Sequence, residues 1–584
     1  MKIFQFEYKD EASLRDELNV VREACRDKSG ACALLHVFAE TPDRKRIERV
    51  GEIIAEELPK AQYVGCSTNG SIARGVHTRS DISIECTVFE SDTTKFETLQ
   101  YPISEETASE VSDMLVREVQ SRPWVKGVEL LIVIRGMSLS SFCRDLQHLR
   151  SDIAVFGGGA FNQDINNTTA CVFSKDRGYS EYGVTFVLYG GSDFHLSTHF
   201  VTGWKALGRV LKVTRVHRNI LYELDGLPAY ETYRRYLNIK NDDHFFVNTV
   251  EFPFLYREHG IEILRDPVMS NPDGSIVMTS DIQERDKLRL AYGDPRTILS
   301  SVREVARTMA NFRPETIAIF SCAGRRAFWG DKAVDKELQP FELVAPTFGF
   351  FTSGEFHRTG IHVIQHNVTM VIVAMREGLP KISDTPSRIF EDTEKSGEVS
   401  LVQRLSTFID AATEDLNEAN RLLHQAAITD ALTGLKNRGE TQRIIGELAE
   451  RRDGTLSLLM LDLDNFKKVN DQFGHVIGDK VLVGLADHLR NMLSTKNSAC
   501  SAGRWGGEEF MVVMPDTDLD SALAFAEKIR AEFARIKFER AGCQTMSVGV
   551  AQIRSGEDAD ALCIRVDDAL YAAKRSGKNQ VKAG

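Results

Sequence analysis

Two glycines followed by two glutamates, in the stretch ACSAGRWGGEEFMVVMPD at 499–516, stand just before a run that reads as a buried strand. FMVVMP is apolar and partly β-branched, and the short, small-residue segment before Gly506 reads as its hairpin partner. Gly506 and Gly507 then mark the turn, because glycine reaches positive φ without strain. Alone, the pattern also fits a surface hairpin whose acids serve solubility. A second acidic strand end weighs against that. In TLSLLMLDLD, at 455–464, an apolar run leads into Asp462 and Asp464 beside the loop NFKK. Carboxylates at a strand's C-terminal end suit Mg²⁺, which takes few protein oxygens and shares the rest of its shell with water and phosphate. With the Glu508 hairpin on the neighbouring strand, its tip meets Asp462 across the sheet. The glycines then make room for a phosphate, and the glutamates hold metal and handle charge.

The elements that must position these groups are legible in outline. After the strand at 455–464, GDKVLVGLADHLRNML reads as a helix with an apolar stripe, followed by the hairpin and the helix DSALAFAEKIRAEFARI. The strand QTMSVGVAQI, the helix LCIRVDDALYAAKRSG and a short last strand complete a small α/β domain with one sheet face covered.

The chain has 584 residues, so several domains are expected. A net charge of −12 argues against nucleic acid as the main partner, while leaving room for a small phosphorylated ligand on a few local lysines. No apolar run approaches a membrane span, and the start, MKIFQFEYKDEAS, lacks the apolar core of a signal peptide. Ten cysteines without a CxxC pair suit a reducing cytoplasm. Residues 1 to about 378 alternate strand-like and helical runs, a large α/β or α+β region with a divide near 205. Gly-rich turns interrupt it at 64–71 (VGCSTNGS), 156–162 (FGGGAFN) and 348–356 (FGFFTSGEF). The polar stretch 379–397 reads as a linker. Then Val402, Leu405, Ile409, Ala412, Leu416, Ala419, Leu423 and Ala426 recur at spacings of three and four. That seam fits a parallel two-helix coil, with a single amphipathic helix packed on its own domain as the alternative.

Residues 430–584 resemble the GGDEF family of diguanylate cyclases, with GGEEF as the signature and DALTGLKNR at 430–438, LDLDNFKKVNDQFGHVIGD at 461–479 and DDALYAAKRSGKN at 567–579 as the other markers. The resemblance implies a polymerase-palm, nucleotidyl-cyclase-like fold and the condensation of two GTP into cyclic di-GMP with loss of two pyrophosphates. It implies that Asp462 and Glu508, with the backbone carbonyl of Leu463, hold Mg²⁺ or Mn²⁺. Asn470 and Asp479 match the guanine-reading positions, and Phe466 and Lys467 lie in the loop that cradles phosphates. Lys574 matches a phosphate-binding lysine, and Lys578 stands where arginine is more usual. Glu509 is the candidate for activating the attacking hydroxyl, with the choice of glutamate as base left open. One domain holds one GTP, so a two-fold dimer through the cyclase domains and the helix at 398–427 is implied, and monomers are inactive. Many members carry an Arg-x-x-Asp product-inhibition site before the hairpin; here Asn497 and Cys500 stand in those places, and neither supplies a planar clamp for guanine and phosphate. No EAL-type hydrolase segment is expected, so the reading is synthesis without degradation. The alternative is a non-catalytic GTP- or cyclic di-GMP-binding regulator, against which the intact site acids speak.

Residues 25–375 resemble the FIST sensory family in YVGCSTNGSI, FGGGAFN, RDPVMSNPDGSIVMTSDI, FSCAGRRAFWG and PTFGFFTSGEF. This implies a two-part sensor, 1–205 and 206–378, for a small ligand such as an amino acid or related metabolite. Ser67, Thr68 and Asn69 offer neutral hydrogen bonds, Arg325 a partner for a carboxylate and Glu355 one for an amine. The rival reading makes these stretches tight turns and packing glycines. Cys66 and Cys322 are expected to be buried thiols, and His357, His362 and His366 separate side chains, more readily than a nucleophile or a metal site.

Overall fold

The computed structural model describes the chain except residues 27–31, 79, 163–167, 285, 381–400, 452–454 and 495–498. It divides into two compact units, Met1–Ala411 and Ala412–Gly584.

In the first unit, three six-stranded sheets each contain one parallel pair: Ala33–Ala39 with Gln62–Ser67, Val125–Val133 with Ala154–Ala160, and Thr316–Cys322 with Thr347–Thr352. Alternate residues of these strands face two ways, and both faces are covered, which is why the strands read as near-continuous apolar runs. Leu34 and Phe38, Leu131 and Val133, and Ala318 and Phe320 meet in one shared core. Their neighbours Leu35, Leu130 and Ile319 point outward into three separate helix-covered cores.

Each parallel pair is followed by a hairpin that leaves for another sheet. Ser71–Ala73 with Val76–Thr78 pairs onto Thr347–Thr352. Val172–Ser174 with Gly178–Ser180 pairs onto Gln62–Ser67, and Glu355–Thr359 with His362–His366 onto Ala154–Ala160. The three Gly-rich stretches occupy one position in this cyclic exchange, the end of the second parallel strand. Strands from both sides of residue 205 therefore share sheets. A further eight-stranded sheet, built from Trp204–His217 to Lys287–Gly293, has its own core around Tyr233, Phe254 and Ile263.

The second unit carries a five-stranded sheet in the order Ser501–Arg504, Glu509–Pro515, Leu456–Leu463, Met546–Gln552, Val581–Ala583. Leu459 and Leu461 pack toward the helices His475–Ser494 and Leu519–Phe533, while Leu458 and Met460 pack toward Arg438–Ala449 and Ala559–Arg575. Both faces are thus covered, where the sequence led us to expect one. The unbroken burial of Leu456–Leu463 is the local sign of it. The expected linker at 379–397 lies, from 381 onward, outside the described residues. The helix Leu401–Ile428 follows, with Val402, Leu405, Ile409, Leu416 and Leu423 of its apolar seam exposed.

Candidate active site

The central strand Leu456–Leu463 sets the geometry. Its register places Asp462 opposite Glu509 on one side and opposite Ser547 on the other. The Leu463 N–H donates to the carbonyl of Glu508 at 3.4 Å, so Asp462, Leu463, Glu508 and Glu509 gather at one end of a strand pair.

Gly506 and Gly507 turn the chain as expected, but neither adopts a positive φ. Crowding, not backbone freedom, marks the first of them, and open space borders the second. A Cβ on Gly506 would stand 2.7 Å from a Glu509 carboxylate oxygen, and around the corresponding position on Gly507 nothing lies within 4 Å. The turn is clamped from behind: Arg504 donates to the Gly507 carbonyl at 2.7 and 3.2 Å and pairs with Asp430 at 3.3 Å. Asp430 also accepts from the Thr433 amide and hydroxyl at 2.9 and 2.7 Å. Burial pushes the Asp430 carboxyl up, yet Thr433 and Arg504 outweigh it and leave it below its usual range. The sequence reading gave DALTG no role; its role is to brace the glycine turn. The same segment receives the end of the long helix, since Asn437 donates to the carbonyls of Ile428 (2.9 Å) and Ala427 (2.7 Å).

Asp462 is 5% exposed and pairs with the Lys574 Nζ at 2.7 Å. Burial raises its pKa, only partly offset by Lys574, and the charge of Asp464 adds to the rise. Burial, then the Asp462 carboxylate, raise Glu508 and Glu509 as well. Three carboxyls that hold protons this readily form a field that attracts cations. Lys574 already answers it from one side. The donor set, two carboxylates and a carbonyl, is all oxygen and leaves most of a coordination shell to water and phosphate, which fits a hard divalent ion. Among the described residues no group of three or more His, Cys, Asp or Glu is placed to share an ion. Asp464 has other work: it accepts from Thr545 and Ser547 (2.7 Å each) and from the Asn579 amide (3.0 Å). That ties down the segment whose Lys578 Nζ donates to Asn465 at 2.7 Å.

The residues matched to GTP take distinct positions. Phe466 is buried in the core and opens the helix Phe466–Phe473, while Lys467 beside it is exposed. Asn470 presents a buried Oδ1 with no hydrogen-bond partner, pressed where a Cβ on Gly478 would come within 1.9 Å. Asp479 is exposed at the start of His475–Ser494. Of the two residues at the expected gap in product inhibition, Asn497 lies outside the described residues and Cys500 is half-buried.

The residues singled out in the first unit are committed to the fold. Ser67 Oγ accepts from the Cys171 amide at 3.0 Å, and Thr68 donates to the carbonyls of Gly70 and Phe351. Asn69 bonds Asn162 and Arg326. Arg325 is fully buried, paired with Glu337 and bonded to the carbonyls of Thr202 and Val368. Its guanidinium is therefore spent on the protein, contrary to the expectation of a ligand carboxylate there. Glu355 accepts from Thr352 and from the Thr369 amide, and burial pushes it well above its ordinary range. The glycines of the three turns also serve packing: a Cβ on Gly65, Gly157 or Gly349 would stand 2.1, 2.0 or 1.8 Å from the carbonyl of the facing parallel strand. Burial pushes the thiols of Cys66 and Cys322 far up, which leaves no thiolate. His357 and His366 both lie against Phe200, and His362 stacks on His259.

Comparison with known proteins agrees with the motifs. The family model described as "Diguanylate cyclase, GGDEF domain" matches residues 427–580, the FIST N domain 33–227 and the FIST C domain 229–358. Diguanylate cyclase DgcM of Escherichia coli is 43% identical over 177 residues, 29% of this chain and 42% of the relative. Response regulator PleD of Caulobacter vibrioides is 37% identical over 209 residues, 34% of this chain and 44% of the relative. The chain thus spans less than half the length of either. The crystal structure of the coiled coil and GGDEF domain of DgcB from Caulobacter crescentus, in complex with c-di-GMP, is 33% identical, with 32% of this chain and 100% of that one covered at a TM-score of 0.29. Residues 427–580 are a GGDEF domain, and residues 33–227 and 229–358 are FIST N and FIST C domains.

Proposed function

We propose that the chain is a diguanylate cyclase: it condenses two GTP into cyclic di-GMP and two pyrophosphates, under the control of a small ligand bound by the FIST region. The observation that carries the reading is the convergence of Asp462, Glu508 and Glu509 at one strand end, with Lys574 paired to the most buried of them. Asp462, Glu508 and the Leu463 carbonyl hold Mg²⁺ or Mn²⁺, which when bound neutralises charge developing at the α-phosphate and the departing pyrophosphate. Lys574, at the edge of the acidic cluster beside Asp462, would meet the phosphates together with Lys467 and Lys578. The Asn470 amide donates to guanine O6, and at the helix start the Asp479 carboxylate accepts from the guanine N–H edge. Glu509, whose raised pKa brings it closer to neutrality, takes the proton from the 3′-hydroxyl that attacks the other nucleotide's α-phosphorus in line.

One domain presents one such site, so the reaction needs two copies facing each other about a two-fold axis. The exposed seam of Leu401–Ile428 is the natural means of pairing them. In this reading residues 1–378 are sensory, 379–429 connect, and 430–584 are catalytic. Among the described residues no helix is long and apolar enough to cross a membrane, and GTP as substrate assigns the work to the cytoplasm.

The test is to incubate the full chain with GTP and Mg²⁺ and separate the nucleotides chromatographically. Wild type yields cyclic di-GMP, and Glu508→Ala lowers the yield at least ~10²-fold with the fold intact. GTP bound by wild type without any product would replace the enzyme by a nucleotide-binding regulator.

A further inference from the structure

A cleft of about 550 Å³ opens in the first unit where the eight-stranded sheet meets the hairpin Glu355–His366 and the short helix Ser140–Asp145. Its size is that of a small-molecule site. Arg265 lines it, and Arg265 is only 5% exposed. Buried guanidinium groups are normally paired with a carboxylate. Arg265 makes no ion pair among the described residues. Its donors go to neutral acceptors: the carbonyls of Asp281 (3.3 Å), Leu264 (3.1 Å) and Gln365 (3.1 Å), and the side chain of Asn367 (3.3 Å).

The acids nearby do not complete it. Burial pushes the adjacent Asp266 carboxyl up to about 8, so it is largely protonated at neutral pH. The Asp281 carboxylate instead accepts from the hydroxyls of Ser138 and Ser140. Another polar group of the wall has no partner at all, the hydroxyl of Ser280, a residue 8% exposed. The site thus holds a fixed positive charge and a spare hydroxyl inside walls supplied by Leu139, Tyr256 and Ile364.

We propose that this cleft binds a small organic monocarboxylate, whose carboxylate pairs with Arg265 and whose apolar body lies against Leu139, Tyr256 and Ile364. The charge of the walls sets the class. Arg144 joins Arg265 on the cationic side, and Glu258 and Asp281 balance them, which disfavours a polyanion such as a nucleotide or inorganic phosphate. An uncharged ligand leaves Arg265 with neutral acceptors and the Tyr256 ring, 5.6 Å from its guanidinium carbon, and still without a carboxylate.

The probes are hexanoate and benzoate, with hexanamide and benzamide as uncharged counterparts, titrated calorimetrically into the full chain up to about 10 mM. At least one carboxylate binds saturably and neither amide does. Arg265→Gln abolishes the binding. Arg144 is exposed, so Arg144→Glu keeps the wild-type melting temperature and weakens binding about threefold to fivefold, which decides the matter if Arg265→Gln does not fold. No saturable carboxylate binding, or binding indifferent to the substitutions, overturns the site. The site rests on the sensory reading of the FIST region only for its consequence. Carboxylate binding that leaves cyclic di-GMP synthesis unchanged keeps the site and sinks its sensory role.

Discussion

The two units use the same residue types for opposite ends. In the GGDEF domain, Gly507 borders open space, Asn470 keeps an unpartnered oxygen, and Asp462 pairs with a half-buried lysine at the edge of the acidic cluster. In the FIST unit, Gly65, Gly157 and Gly349 lie against a neighbouring carbonyl, and Arg325 is closed onto Glu337 and backbone. A motif made for a ligand leaves valences open, and one made for a fold closes them. Arg265, which no glycine-rich motif marks, is the FIST residue that behaves like the first kind.

The comparison breaks if glycine substitutions fail to sort the same way. Gly157→Ala puts a Cβ 2.0 Å from the Leu130 carbonyl, on a residue whose φ of 144° already suits glycine alone. Backbone must move, and the calorimetric transition of the first unit should drop by about 3 kcal/mol or more. Gly507→Ala meets no atom and should change stability by less than about 0.5 kcal/mol. If the proposed site holds, its methyl fills space that a phosphate would use, so cyclic di-GMP synthesis should fall about tenfold or more. Equal stability losses for the two substitutions would erase the distinction.

A smaller effect sharpens it through pH. His36, in the shared core of the first unit, lies 3.2 Å from Glu85 and 3.1 Å from Glu129, and Tyr189 donates to Glu129 at 2.6 Å. Burial pulls the imidazole's pKa down, but Glu129 and Glu85 more than offset it and hold it up at about 10. A folded pKa above the unfolded value of about 6.5 contributes stability that is full below that pH and is lost as pH rises toward 10. Burial raises Glu85 too, and a carboxyl raised in the folded state costs stability in the same direction. The first unit should therefore lose about 1–3 kcal/mol between pH 7 and 10, measured by its own melting transition. His36→Gln should flatten that slope while leaving the GGDEF transition alone.

How far the sequence could be read follows from the same contrast. The GGDEF motifs fix particular side chains at fixed spacings, so the meeting of Asp462 with the GGEEF turn at one strand end was legible one residue at a time. The reason for the glycines was not, because φ and open space are set by Glu509 and Arg504 in three dimensions. The hairpin exchange joins residues 71–73 to 348–350, a separation at which no local pattern speaks. Arg325 looked available because Glu337 becomes its partner only once the helix Asp335–Glu342 has docked. Arg265 heads the stretch RDPVMSNPDGSIVMTSDI, but nothing local says that the folded chain buries its guanidinium without a carboxylate partner.

The smallest expected effect concerns feedback by product. Where the resemblance to the GGDEF family leads one to expect an arginine and an aspartate, this chain has Asn497 and Cys500. An amide offers one donor group where a guanidinium offers a planar fork, and a thiol does not replace a carboxylate as acceptor. Adding cyclic di-GMP at low micromolar concentration should therefore change the initial rate of synthesis by less than about twofold, within the worth of a weak neutral contact. Asn497→Arg with Cys500→Asp restores a clamp of the missing type and should make the rate fall as product accumulates. Strong inhibition of the wild type, relieved by substituting either residue, would mean that these side chains bind product after all. Strong inhibition untouched by either would place the feedback elsewhere in the GGDEF domain.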